Sequence, residues 1–190
     1  MEVILCDCKG NMVYEWERVF SNNKNVRCIE GDYCSVAERE KVDVIVSPAN
    51  SFGIMDGGLD LSIRDFYLKN NLDIQSLVQG KIKEVFRGIQ TVGSSIYIEN
   101  DVLDLIHTPT MKVPGQIVDL NCIYFATRNT IICARENGVD RILIPAFGAG
   151  IGGIKALVVA RIMEDAIKSL ELNYFESWEH VHYLLDKEFI

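Results

Sequence analysis

The residues of this 190-residue chain that are equipped for chemistry lie in two glycine loops. The first follows the apolar, β-branched run Val42–Ser47, which Pro48 ends. It carries Asn50, Ser51, Gly53, Asp56, Gly57 and Gly58 ahead of a helical period at Asp60–Lys69. The second, Ala146–Gly153, follows the short apolar run Arg141–Pro145 and precedes the helical stretch Ile154–Leu170. Strand, glycine loop, helix is the order in which backbone N–H groups at a helix N-terminus face an anion. Adjacent glycines let the main chain approach a ligand with no Cβ in between. The first loop has no basic side chain, so a phosphate there would be held mainly by N–H dipoles.

Either loop alone is also explained as a tight strand-to-helix turn. Glycines at 148, 150, 152 and 153 are more than turning a corner requires. In an open α/β sheet, ligands sit beyond the carboxyl ends of the strands. If Val42–Ser47 and Arg141–Pro145 are neighbours, the two loops flank one cleft and clasp a diphosphate from two sides. Other chemistries are less well supplied. Neither loop contains the Gly-Lys-Ser/Thr of a Walker-type loop, and Gly148-x-Gly150-x-Gly152-Gly153 resembles a dinucleotide fingerprint only loosely and falls late in the chain. Ser51 lacks the glycines of a nucleophile elbow. The six cysteines (Cys6, Cys8, Cys28, Cys34, Cys122, Cys133) read as small buried hydrophobes, with Cys6 and Cys8 on one strand face. No paired C-x-x-C spacing or nearby histidine supports a metal, so no metal or cofactor is expected. His107 reads as a packed structural residue, and His180 and His182 have no acidic partner by spacing.

The elements that must position these loops follow from periodicity. Strands are expected at Val3–Cys8, Val26–Glu30, Val42–Ser47, Ser95–Glu99, Val102–Thr108, Arg141–Pro145 and His180–Leu185. Helices are expected at Asn11–Phe20, Ser35–Lys41, Asp60–Lys69, Asn71–Gly88, Leu120–Asn137 and Ile154–Leu170, with a two-proline loop at Thr108–Gly115. The early β-α-β-α-β alternation predicts a parallel or mixed sheet with helices on its faces. No repeat, low-complexity segment or linker interrupts the chain, so one α/β domain over residues 1–190 is expected. The formal charge of −8 gives no electrostatic footprint for non-specific nucleic-acid binding. No apolar run is long enough to span a membrane, and MEVILCDC at the start reads as a strand and not a signal peptide. A cytoplasmic location is the expectation.

Four ordered segments resemble the macro domain family. Gly31-Asp32-Tyr33 is similar to its early Gly-Asp-Ile segment. Ser47-Pro48-Ala49-Asn50, followed by Gly57-Gly58-Leu59-Asp60, is similar to its first signature. Leu105-Ile106-His107-Thr108 resembles its Ile-His-Thr/Ala strand end, and Ile144–Gly152 its phosphate loop, usually Pro-x-Ile-Ser-Thr-Gly-Ile-Tyr-Gly. The resemblance implies a three-layer α/β/α sandwich around a mixed sheet, and a protein that binds ADP-ribose or a related nucleotide. It puts Asp32, with Tyr33 beside it, at the adenine amino group. Ala49, Gly57, Gly58, Gly148, Ala149, Gly150, Ile151 and Gly152 would line the ligand, and Asn50 would reach the distal ribose.

In the family's ADP-ribosyl hydrolases an asparagine and an aspartate ten residues later act on that ribose, and Asn50 and Asp60 stand at that separation. The residue types suit the reaction. A carboxylate orients or deprotonates a water, directly or through a substrate phosphate, and an amide holds a ribose hydroxyl without titrating. Asp60 is also placed to be the N-terminal cap of its helix. Gly148 and Ala149 replace the usual Ser-Thr, Gly152 replaces the common aromatic, and Met55-Asp56 stands where many hydrolases have further glycines. The implied activity is hydrolysis of a mono-ADP-ribosyl acceptor or of ADP-ribose 1″-phosphate. The alternatives are a binding module without turnover and an accessory protein with a degraded pocket.

Overall fold

The computed structural model describes residues 1–117, 119–171 and 177–178. Its elements are β1 (Glu2–Asp7), α1 (Gly10–Val19), β2 (Val26–Glu30), α2 (Tyr33–Glu40), β3 (Val44–Ser47), α3 (Gly58–Lys69), α4 (Ile74–Phe86), β4 (Ile96–Ile98), β5 (Asp104–His107), α5 (Asn121–Glu136), β6 (Arg141–Pro145) and α6 (Ala156–Lys168), closed by a 3₁₀ turn at Ser169–Glu171. The expected strand at His180–Leu185 lies outside the described residues.

Among the described residues, six strands form one mixed sheet in the order β2-β1-β6-β3-β5-β4, with β4 antiparallel to its neighbour and the other pairs parallel. Side chains on a strand alternate between faces, and the alternation here divides the core in two. Val3, Leu5, Val46, Ile106, Ile142 and Ile144 pack on one side against Trp16 of α1, Ile123 of α5 and Val159 and Met163 of α6. Ile4, Cys6, Ile45, Leu105 and Leu143 pack on the other against Val36 of α2, Ile63 and Tyr67 of α3 and Val78 of α4. The result is a three-layer α/β/α sandwich. Central strands covered on both faces need apolar residues at every position, which is why β3 and β6 read as unbroken hydrophobic runs.

Sheet topology also opens the functional edge. β3 and β6 pair only at Val44 with Ile142 and Ile45 with Leu143. Beyond that point β3 stays with β5 as far as Ser47 and His107, while β6 stays with β1 as far as Pro145 and Cys6. The two central strands therefore part at their carboxyl ends. Tyr33 fills the parting: its hydroxyl donates to Leu143 O at 2.7 Å and accepts from Val46 N–H at 2.9 Å. A side chain thus supplies the pairing that the diverging backbones cannot, leaving no buried amide orphaned.

Three expectations are corrected. Cys8 is not a core residue: β1 ends at Asp7, so Cys8 lies past the pleat and is exposed, and of the six cysteines only Cys6 is buried. The hairpin strands are shorter than their apolar runs. Asn100 Oδ1 accepts from Val102 N and Leu103 N, and Asp104 Oδ1 accepts from Asn100 N, so a side-chain-built turn takes the residues that would have extended both strands. Asp60 is not the cap of α3. That helix begins two residues earlier, with Gly57 at the cap and Asp60 inside the first turn.

Candidate functional site

Where β3 and β6 diverge, the loops that leave them enclose a cleft of about 550 Å³, a size suited to a small-molecule ligand. Asp32, Tyr33, Ala49, Asn50, Gly57, Gly58, Asp60, Gly148, Gly150, Ile151 and Gly152 all line it. Ala149 does not: its N–H turns back to Ala146 O, and its methyl packs on the apolar cluster beneath the sheet. Cys6, Asp7 and Cys8 join Asp32 on the wall formed by β1 and the β2–α2 turn. Thr110, Met111 and Pro114 form part of the wall from the segment after β5.

The cleft presents two sets of unpaired backbone amides. Among the described residues, the N–H groups of Gly57, Gly58, Leu59 and Asp60 find no acceptor in the protein, and the first bonded amide of α3 is that of Leu61, to Gly57 O at 3.2 Å. The same holds across the cleft for the N–H groups of Gly148, Gly150, Ile151 and Gly152, whereas Gly153 N bonds Gly150 O and Ile154 N bonds Gly148 O. Unpaired helix-start amides carry the positive end of the helix dipole, and glycine-loop amides form an anion-binding concavity. Among the described residues, no Lys, Arg or His lines the cleft, but four aspartates do: Asp7, Asp32, Asp56 and Asp60. Among the described residues, the groups available to an anion here are backbone dipoles and not cationic side chains.

Asn50 shapes the first loop. Its Oδ1 accepts from Phe52 N at 3.1 Å and Ile54 N at 3.3 Å, and its Nδ2 donates to Ile54 O at 2.7 Å. One amide hydrogen remains. Met55 N donates to Gln75 Oε1 at 2.7 Å and Gln79 Nε2 to Phe52 O at 3.3 Å, so α4 holds the same loop from outside.

Asp60 is half-buried in the first turn of α3, with Oδ1 accepting the Ser47 hydroxyl at 2.7 Å. Withdrawal from water raises its pKa from 3.8 to about 6, against the lowering effect of the Ser47 hydrogen bond, and nearby Asp56 raises it further. Asp32 caps α2. Its Oδ1 accepts from Ser35 N at 2.9 Å and Ser35 Oγ at 2.7 Å, which lowers its pKa and leaves its second oxygen unengaged. His107 is fully buried: Nδ1 lies 2.7 Å from Gln90 Oε1, whose amide nitrogen donates to Ser94 O and His107 O. Burial lowers its pKa to about 3, so it stays neutral. Among the described residues, no three His, Cys, Asp or Glu side chains gather to hold a metal ion, and no helix is long and apolar enough to cross a membrane.

Sequence reasoning missed the Ser47 contact and the wall after β5. Ser47 belongs to the strand pattern, and nothing in the spacing links it to Asp60. The segment after β5 is placed chiefly by backbone bonds, to which the sequence is silent.

Fold and site together define a macro domain. The Macro domain family model matches residues 46–163, and the chain belongs to this family. An uncharacterized protein of Aquifex aeolicus is 29% identical over 159 residues, which are 77% of this chain and 83% of that one. Among solved structures, the macrodomain of Mycobacterium tuberculosis DarG is similar at 22% identity and a TM-score of 0.61, covering 75% of this chain and 89% of its own. Thermosipho africanus DarTG in complex with ADP-ribose is similar at 15% identity and a TM-score of 0.61, covering 88% of this chain and 50% of its own.

Proposed function

We propose that this protein binds ADP-ribose, or a nucleotide derivative built on it, in the cleft between β3 and β6. We further propose that it hydrolyses an ADP-ribosyl linkage there. The observation that carries the reading is that residues of both loops that line the cleft have unpaired backbone amides. A diphosphate presents acceptors on both sides and satisfies both sets at once. The free oxygen of Asp32 takes the adenine amino group, and the remaining Nδ2 hydrogen of Asn50 reaches a distal ribose hydroxyl. The similar structure of Thermosipho africanus DarTG, solved in complex with ADP-ribose, supports the choice of ligand.

Asp60 supplies the chemistry. With a pKa near 6 it is mostly ionised at neutral pH, and it is basic enough to take a proton from an attacking water. Ser47 holds one carboxylate oxygen and leaves the other for that water. The substrate is a mono-ADP-ribosylated protein or ADP-ribose 1″-phosphate, and the protein carboxylate or the phosphate leaves as water is added. A second reading, a binding module without turnover, is favoured by the three bonds that already hold Asn50 inside its own loop.

Calorimetric titration with ADP-ribose, with ADP and AMP as controls, tests the ligand. Saturable binding tightest for ADP-ribose supports the reading, and no heat at millimolar ligand removes it. Release of ADP-ribose from a mono-ADP-ribosylated protein then separates the hydrolase from the reader. Turnover should rise with pH through about 6, and Asp60→Asn should abolish that rise.

A further inference from the structure

The glycine loop Gly148–Gly153 has almost no side chains with which to fix its own shape. Glycine is the residue least restricted in backbone conformation, so an ordered row of amides there needs an outside template. The segment after β5 supplies one. At its start it is stitched to the first loop: Thr110 N donates to Ala49 O at 3.1 Å, and Ser51 N lies 3.1 Å from Met111 O and 3.2 Å from Lys112 O. It then crosses the cleft wall and reaches the second loop at Ile117.

Ile117 N donates to Gly152 O at 3.0 Å, which fixes the orientation of that peptide unit. Its side chain lies where side chains at two loop positions would be. A Cβ on Gly152 would come within 2.7 Å of Ile117 Cδ1, and one on Gly148 within 3.1 Å. Gly148 also has φ +81°, a conformation that glycine adopts without strain. Ile117 packs on the apolar cluster that contains Ile123, so its position is anchored from below. It is not part of the cleft lining.

We propose that Ile117 is a positioning residue of the diphosphate site. Seated over Gly148 and Gly152, it holds the Gly150–Gly152 amides in their ligand-facing orientation without touching the ligand. This rests on reading the cleft as a nucleotide-diphosphate site. The mechanism is preorganisation: the loop conformation that binds an anion is selected before the anion arrives, which removes an ordering cost from binding. The same segment bonds to the first loop, so one strap sets the separation of the two amide sets.

The test compares the full chain with Ile117→Ala and with the conservative Ile117→Val. Calorimetry with ADP-ribose, ADP and AMP is combined with amide hydrogen exchange of peptides covering the second loop. Ile117→Ala should weaken ADP-ribose and ADP about tenfold and AMP less than twofold. It should speed exchange of the bonded loop amides, those of Ala149, Gly153 and Ile154, while leaving β6 unchanged, and Ile117→Val should restore most of both. The inference is overturned if loop exchange does not change, if ADP-ribose binds Ile117→Ala as well as wild type, or if AMP is weakened as much as ADP-ribose. Should wild type bind none of these nucleotides, the nucleotide reading fails, while the exchange comparison still decides the positioning claim because it needs no ligand.

Discussion

The two loops leave neighbouring strands of one sheet and enter helices, yet they are held in opposite ways. The first is built from its own polar side chains and those of α4: Asn50 makes three bonds within it, and Gln75 and Gln79 hold Met55 and Phe52 from outside. The second is held by backbone bonds, with Ile117 and Ile123 occupying the space that side chains at Gly148 and Gly152 would need. The first loop stores its geometry in atoms that are present, the second in atoms that are missing. Deletion should therefore break the first, and addition the second.

The largest effect is expected at Asp60, where the first loop hands over to α3. Asp60→Asn keeps an acceptor for the Ser47 hydroxyl but removes the proposed base. Hydrolysis of a mono-ADP-ribosylated protein should fall about a hundredfold or more, with ADP-ribose affinity within about threefold of wild type. Stability moves the other way. The folded carboxyl, at about 6, holds its proton more tightly than the unfolded one at 3.8. Wild type thus loses stability as pH rises from about 4 through 6, by up to about 3 kcal/mol. Denaturant melts against pH should show the Asn variant without that loss.

Addition to the second loop ranks next. Gly152→Ala places a methyl 2.6 Å from Gly148 O, a backbone atom that cannot step aside. ADP-ribose affinity should fall about thirtyfold by calorimetry, more than 2 kcal/mol by RT ln K, while Asp60 chemistry on saturating substrate suffers less. Deletion from the first loop should cost stability before affinity. Asn50→Ala orphans the amides of Phe52 and Ile54, and about 2 kcal/mol of stability should be lost in urea unfolding. Asn50→Asp keeps both of those acceptor bonds and should lose about half as much. The smallest effect belongs to Gln75→Ala, which removes the bond to Met55 N alone. About 1 kcal/mol is expected, a shift of a few degrees in melting temperature. If Gln75→Ala equals Asn50→Ala, the first loop is held by α4 and not by its own asparagine.

Much of this was visible in the residues themselves. β2 and β6 coincide with their expected ranges because turn residues bound both short runs closely. The cleft was legible because glycines mark backbone that must come close to something. What escaped notice was relational. The Ser47–Asp60 bond joins a strand to a helix thirteen positions on, and Ile117 acts through space on glycines more than thirty positions away. The start of α3 was misjudged because Gly57 and not a polar residue caps it, and those of α2 and α4 because the apolar period did not point to their caps, Asp32 and Asp73. The hairpin strands were overextended because Asn100 and Asp104 divert backbone amides that the apolar pattern had assigned to the sheet.

Among the described residues, the cleft walls carry four aspartates and no cation, in a chain of formal charge −8. An anionic ligand entering this site meets repulsion first and attraction last. The repulsion reaches about 8 Å at physiological ionic strength, whereas the amides act only at contact. Encounter and retention are thus governed by forces of different range. Salt shortens the first and barely touches the second, so association quickens as ionic strength rises while residence time holds. A lysine-lined phosphate site responds in the reverse sense, its capture slowing as salt screens the attraction. For this cleft, the ionic milieu acts as a throttle on arrival and leaves departure alone.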